Sequence, residues 1–186
     1  MNAVIDTSRT SIPGTLAPSV KYLIDKGIIK AGMRVLDFGS GRFLRNAIPM
    51  REMGITVYAY DPLNCNDEDG DGFKDGVISG TLPDSAEIDL VLSAYVLNVL
   101  TNEQEEDCLE TLSVCYSGIP QYHIVRNRDL LEIVQYKNMS FGKSKQEADA
   151  ILREGFVTQS GFQRFSEPSG MEMIRKESGF RIFRKV

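Results

Sequence analysis

Residues 33–38 (MRVLDF) form a hydrophobic run that ends Asp37-Phe38 and passes into Gly39-Ser40-Gly41. Residues without a Cβ let a backbone come close to a bound group. The free N–H groups of a helix beginning behind such a loop favour an electronegative or anionic group. Asp37, Phe38, Gly39, Ser40 and Gly41 are therefore the first candidates for holding a ligand. A second run, residues 56–60 (TVYAY), ends in Asp61, which is followed by Pro62. An acidic residue about 20 positions after a glycine loop is placed to accept both hydroxyls of a ribose. A bare G-x-G is also what a tight strand-to-helix turn looks like, and it is the second strand end that favours a ligand. The spacing D-x-G-x-G lacks the third glycine of the dinucleotide fingerprint, and nothing matches GxxxxGK[ST]. Nicotinamide dinucleotides and nucleoside triphosphates are both disfavoured on that ground.

A further strand pattern, residues 88–93 (IDLVLS), ends in Ser93 and leads into Ala94-Tyr95-Val96-Leu97-Asn98. Tyr95, Asn98, His123 and Arg126 sit near strand ends, where a side chain can position an acceptor or take its proton. Tyr95 and Asn98 have an alternative role in packing and capping the next helix. His123 is the single histidine, and its neighbours Ile124 and Val125 suit an interior residue bonded to its surroundings as well as a base. The three cysteines, Cys65, Cys108 and Cys115, have no CxxC spacing. Reduced thiols in a cytoplasm are expected, with neither a disulfide framework nor a zinc site. Cys108 and Cys115, at i and i+7, read as core residues. Cys65 lies in acidic surroundings that disfavour a thiolate. Residues 67–72 (DEDGDG) match the first half of a calcium loop. Its twelfth position is Ile78 rather than the bidentate glutamate, so a flexible solvated loop is expected and no metal.

These residues must be carried by alternating strands and helices, the pattern of an α/β fold. Residues 1–15 read as irregular and 18–29 as a helix. The glycine loop leads into a helix over 42–53, and residues 77–79 form a short strand. Asn102 caps a helix that begins near Thr101 and presents Leu109, Leu112 and Tyr116 on one face. Residues 121–126 (QYHIVR) are a strand, 128–155 are largely helical, 158–165 are extended, Pro168 opens a short helix, and 180–185 (FRIFRK) form a last strand. The expected architecture is one Rossmann-like domain over 1–186: a doubly wound, mostly parallel sheet with helices on both faces.

The 186 residues suffice for one hydrophobic core, and 42% hydrophobic with 25% charged is ordinary for a globular chain. No apolar run approaches the roughly 20 residues of a membrane helix, and the first residues lack the pattern of a signal peptide. Residues 1–121 hold nine Lys/Arg against eighteen Asp/Glu, and residues 122–186 twelve against eight. An acidic body does not attract polyanions, whereas the basic last third supports at most a local patch.

VLDFGSGR resembles the first motif of class I S-adenosylmethionine-dependent methyltransferases, a strand followed by D-x-G-x-G. AYDP, ending in Asp61 and Pro62, resembles their acidic second strand end. IDLVLSAYVLNVL, with Ser93 in it, resembles their fourth strand and the turn after it. The resemblance covers residues 33–100. It implies S-adenosyl-L-methionine as cofactor, with Asp37 and Gly39–Gly41 at the methionine portion and Asp61 at the ribose. The acceptor it implies is a small molecule or a nucleic-acid-linked group. RTSIPGTLAPSVKYL, AYVLNVLTNEQE and TQSGFQRF resemble a narrower group of phage- and DNA-modification-associated proteins. That narrower resemblance implies a candidate lid over the acceptor end within residues 128–165, with Gln163 and Arg164 closing over the site. The loop departs from that group's GCGxGxD, because Phe43 and Leu44 follow Arg42. The [DNS]PP[YFW] motif of base-amino methyltransferases is replaced by Ser93-Ala94-Tyr95-Val96, and no cysteine follows a proline as cytosine C5 chemistry requires. A non-catalytic module that binds S-adenosylmethionine is the alternative to an enzyme.

Overall fold

The computed structural model describes residues 14–65, 78–127, 144–158 and 161–186. The elements are α1 (Pro18–Asp25), β1 (Arg34–Phe38), α2 (Ala47–Glu52), β2 (Thr56–Tyr60), β3 (Leu90–Ala94), α3 (Asn102–Cys115) and β4 (Gln121–Arg126). They continue with α4 (Lys145–Glu154), β5 (Phe156–Thr158), β6 (Gly161–Gln163), β7 (Glu172–Lys176) and β8 (Phe180–Lys185).

Six strands form one sheet in the order β2-β1-β3-β4-β8-β7. β1 runs parallel to β2 and β3, and β3 parallel to β4. β8 is antiparallel to both β4 and β7. The inner strands are apolar on both faces, as parallel strands covered by helices must be. Side chains alternate across the sheet: Val35 joins Val20, Leu23 and Met50 from α1 and α2, whereas Leu36 joins Leu112 and Tyr116 from α3. This is the Rossmann-like α/β arrangement expected from the sequence. β7 is a largely exposed edge carrying Glu172, Arg175 and Lys176, charges that discourage pairing with another chain.

Several local expectations are corrected. The helix expected over 42–53 is only α2; residues 41–46 are turns, and Leu44 has φ +50°. A helix starting at Arg42 would put Pro49 in its interior, where it lacks the N–H and clashes with the preceding turn. Starting at Ala47 places Pro49 in the first turn, where proline is tolerated. Thr101, rather than Asn102, caps α3: its hydroxyl accepts from Gln104 N (3.2 Å) while Gln104 Oε1 accepts from Thr101 N (3.0 Å). No helix follows Pro168; β7 forms there because β8 offers it a pairing edge. The stretch expected to be extended is a hairpin of β5 and β6. Cys115 is exposed and Cys108 half-buried, so the pair is not a core pair. Ser79 makes an isolated parallel bridge with Tyr60 in place of a strand. The 67–72 loop, residues 1–13 and residues 128–143 of the candidate lid lie outside the described residues. Among the described residues, no helix is long and apolar enough to cross a membrane.

Candidate functional site

The sheet order reverses between β1 and β3, and crevices at such switch points are where open α/β sheets bind ligands. A cleft of about 700 Å³ opens there, within the range of small-molecule sites. Gly39, Ser40, Gly41 and Asp61 line it together with Tyr95, Val96, Asn98 and Arg126. Residues of α1 and of the β7–β8 turn complete the wall.

The glycine loop is fastened to the end of β2. Gly39 N and Ser40 N both donate to Tyr60 O, at 2.7 and 3.0 Å. Gly41 N donates to Asp61 Oδ2 at 3.0 Å. Asp61 also accepts from Leu63 N through Oδ1 (3.1 Å) and from Asn64 Nδ2 through Oδ2 (3.1 Å). A carboxylate has about four acceptor sites. Three are used among the described residues, which leaves one for a ligand hydroxyl. The sequence marked Asp61 as a ligand contact and did not show that it also holds the loop; Asn64, three residues on, was the local signal. The three loop amides are satisfied within the protein, and α2 begins only at Ala47, with Asn46 before it on the cleft lining.

Gly39, which lines the cleft, has a steric reason of its own to lack a side chain. A Cβ there would lie 2.3 Å from Val96 Cγ2, and its φ is +72°. The absent side chain makes room for the turn after β3, so Val96 is a site residue that sequence reasoning missed.

Asp37 lies beneath the loop, outside the cleft lining, and is 1% exposed. Neither carboxylate oxygen has a hydrogen-bond partner. Burial raises its pKa to about 7; Arg51 opposes the shift and Asp61 adds to it. A folded-state pKa above the unfolded value of 3.8 means the folded form holds a proton that the unfolded chain releases. Stability is then greatest below about pH 4 and falls as pH rises to about 7, by on the order of 4 kcal/mol from this group. Urea unfolding of Asp37→Asn is expected to show a flatter stability profile across that window. An unchanged slope would mean that Asp37 does not titrate there.

Tyr95 adopts φ +66°, and its hydroxyl shares a 3.0 Å hydrogen bond with Ser19 Oγ of α1. Asn98 is buried; its Nδ2 donates to Gln163 Oε1 at 3.0 Å, and its Oδ1 has no partner. Arg164 turns away from the cleft to Leu100 O and Glu105. Of the two expected lid residues, then, Gln163 reaches the cleft and Arg164 is an anchor. Ala17 N donates to Asn46 Oδ1 at 3.3 Å, which ties the start of α1 to the glycine-loop side.

The structure does not bring every candidate together. His123 is fully buried beside Ser93 in the β3–β4 register, shares a 3.3 Å hydrogen bond with Gln121 Oε1 through Nε2, and does not line the cleft. Burial, with Lys185 adding to it, lowers its pKa to about 4. It is an interior histidine and is set aside as a base. Ser93 is likewise buried, with its hydroxyl unpartnered. Phe38 stacks on Tyr60 with ring centroids 5.0 Å apart, and neither Phe38 nor Pro62 lines the cleft.

No protein-family model matches the sequence, and no curated protein matches it. Among solved structures, a putative Zn-dependent alcohol dehydrogenase from Rhodobacter sphaeroides is similar over 97% of this chain and 98% of that one, at 15% identity and TM-score 0.52. A SAM-dependent methyltransferase from Aquifex aeolicus is similar over 88% and 87%, at 17% identity and TM-score 0.47. A putative S-adenosyl-L-methionine-dependent methyltransferase from Methanococcus maripaludis is similar over 89% and 82%, at 16% identity and TM-score 0.45. At these identities the likeness concerns the fold alone. These structures lend no support to the narrower resemblance to phage- and DNA-modification-associated proteins.

Proposed function

We propose that this chain binds S-adenosylmethionine in the switch-point cleft and catalyses transfer of its methyl group to an acceptor, either a small molecule or a nucleic-acid-linked group. The observation that carries this reading is Asp61: it ends β2, holds the glycine loop, and keeps one carboxylate acceptor site beside the cleft. The sequence pattern from Asp37 to Asn98 points the same way.

The residues present fit such a ligand. Asp61 would accept from the ribose, Gly39–Gly41 would lie against the methionine portion, and Ala94 and Val96 offer apolar contact. Bound S-adenosylmethionine supplies an activated methyl group on a sulfonium, so the protein's main task is positioning. Tyr95 and Asn98 would orient the acceptor. A second reading, a binding module without transfer, is favoured by the position of His123: the single histidine is away from the cleft. A zinc-dependent oxidoreductase has less behind it. The third dinucleotide glycine is missing, and no group of three His, Cys, Asp or Glu among the described residues could hold a metal.

Calorimetric titration with S-adenosylmethionine and its demethylated product tests the reading. Saturable binding of both is expected, and no binding of either would sink it. Asp61→Ala is expected to weaken that binding by roughly 1.5–3 kcal/mol, the range for hydrogen bonds to a charged group. An unchanged dissociation constant in a folded variant would remove Asp61 from the site. Methyl release to an acceptor pool separates the enzyme from the module.

A further inference from the structure

One part of the cleft holds positive charge that no carboxylate among the described residues pairs with. Arg126 ends β4, and its guanidinium lies 5.7 Å from the centroid of the Tyr95 ring. Its Nε is buried without a hydrogen-bond partner. Burial drives its pKa down, Tyr95 opposes that shift, and Arg45, which lines the same cleft, adds to it. The other charges near Arg126 on the cleft wall are already engaged. Lys21 pairs with Asp25, Glu177 with Arg175, and Asp61 with the amides of Gly41 and Leu63. A partly buried cation is costly until an anion compensates it. A planar guanidinium is suited to carboxylate or phosphate, which it can grip with two parallel hydrogen bonds. The terminal nitrogens of Arg126 are not among the closed-off atoms, so the face of the guanidinium toward the cleft is the part a ligand can reach.

We propose that the methyl acceptor carries a carboxylate or phosphate that pairs with the Arg126 guanidinium. The word acceptor rests on the methyltransferase reading; the anion site does not. Arg126 then anchors the acceptor by its anionic group on the cleft wall beside Tyr95.

The test is an NMR titration of the isotope-labelled full chain, without S-adenosylmethionine, using benzoate, phenyl phosphate and the neutral isostere benzamide. The probe is the Arg126 Nε–H resonance, assigned by its loss in Arg126→Lys. Saturable shifts with either anion and none with benzamide are expected. Arg126→Gln should weaken anion binding about tenfold or more, about 1.4 kcal/mol, read at the Tyr95 and Asn98 amides. Arg184→Gln, at an exposed arginine paired with Glu172, should leave it unchanged. Saturation by benzoate alone assigns a carboxylate, by phenyl phosphate alone a phosphate, and by both the shared chemistry. Benzamide matching the anions, neither anion moving the resonance, or full affinity in Arg126→Gln overturns the proposal. The wild-type titration decides the matter even where a variant fails to fold. Since no S-adenosylmethionine is present, failure here leaves the cofactor reading standing, and failure of S-adenosylmethionine to bind leaves the anion site standing.

Discussion

Gly39→Ala is expected to destabilise the protein by about 3 kcal/mol, the sum of a left-handed backbone cost and an overpacking cost. The new Cβ would lie 2.3 Å from Val96 Cγ2, with φ at +72°. The loop cannot retreat easily, because Gly39 N and Ser40 N are both bonded to Tyr60 O. Val96 must then move, and Val96 belongs to the turn that carries Tyr95 and Asn98 into the cleft. Loss of ligand binding in this variant would therefore not by itself place a ligand against Gly39. The informative comparison is the double variant Gly39→Ala, Val96→Ala. Removing the two valine methyls leaves the Val96 Cβ at 3.5 Å, an ordinary contact. Most of the steric cost should return, leaving about 1–2 kcal/mol of backbone strain together with the lost valine burial. Urea unfolding of the four-member cycle measures this, and additive single and double effects would show that the two residues do not collide.

Arg164→Met should cost more, roughly 3–5 kcal/mol, because it leaves a buried carboxylate without its cation. Arg164 and Glu105 form an ion pair whose side chains are 5% and 10% exposed. The same guanidinium donates through Nε to Leu100 O at 2.6 Å, and the backbone N of Arg164 donates to Asn98 O at 2.8 Å. The residue thus joins the segment after β6 to the turn after β3 and to the first part of α3. Burial already raises the Glu105 pKa, while the charge of Arg164 opposes that shift. Removing the arginine raises it further. A carboxyl whose folded pKa lies above its unfolded value loses stability as pH rises between the two, so the deficit should be smaller at pH 5 than at pH 8. The double variant Glu105→Gln, Arg164→Met should recover part of the loss. Equal deficits at both pH values would mean that Glu105 keeps its charge at no cost.

Much of this was legible in the residues themselves. The patterns at 33–38, 56–60, 88–93 and 121–126 marked the parallel strands: 33–38 and 88–93 are largely apolar, as burial on two faces demands, whereas 56–60, at the sheet edge, alternates. The short glycine loop and the acidic end of TVYAY located the cleft, since backbone reach and charge are local properties. What could not be read was where side chains point once strands align. His123 and Asn98 are both polar residues near strand ends. Only the register that sets His123 opposite Ser93 buries it, and only the turn after β3 brings Asn98 to Gln163, 65 residues away. The extent of α2 was decided by Pro49 and the left-handed Leu44, and β7 by a partner strand later in the chain. The sequence determined the fold class and the place of the site, because hydrophobic pattern and local backbone freedom are written residue by residue. The tertiary structure alone decided that Gly39 yields space to Val96, that Asp61 both holds the loop and faces the cleft, and that Arg126 stands unanswered among the described residues. Each of these is a contact between segments that only the alignment of β1, β2, β3 and β4 brings within reach.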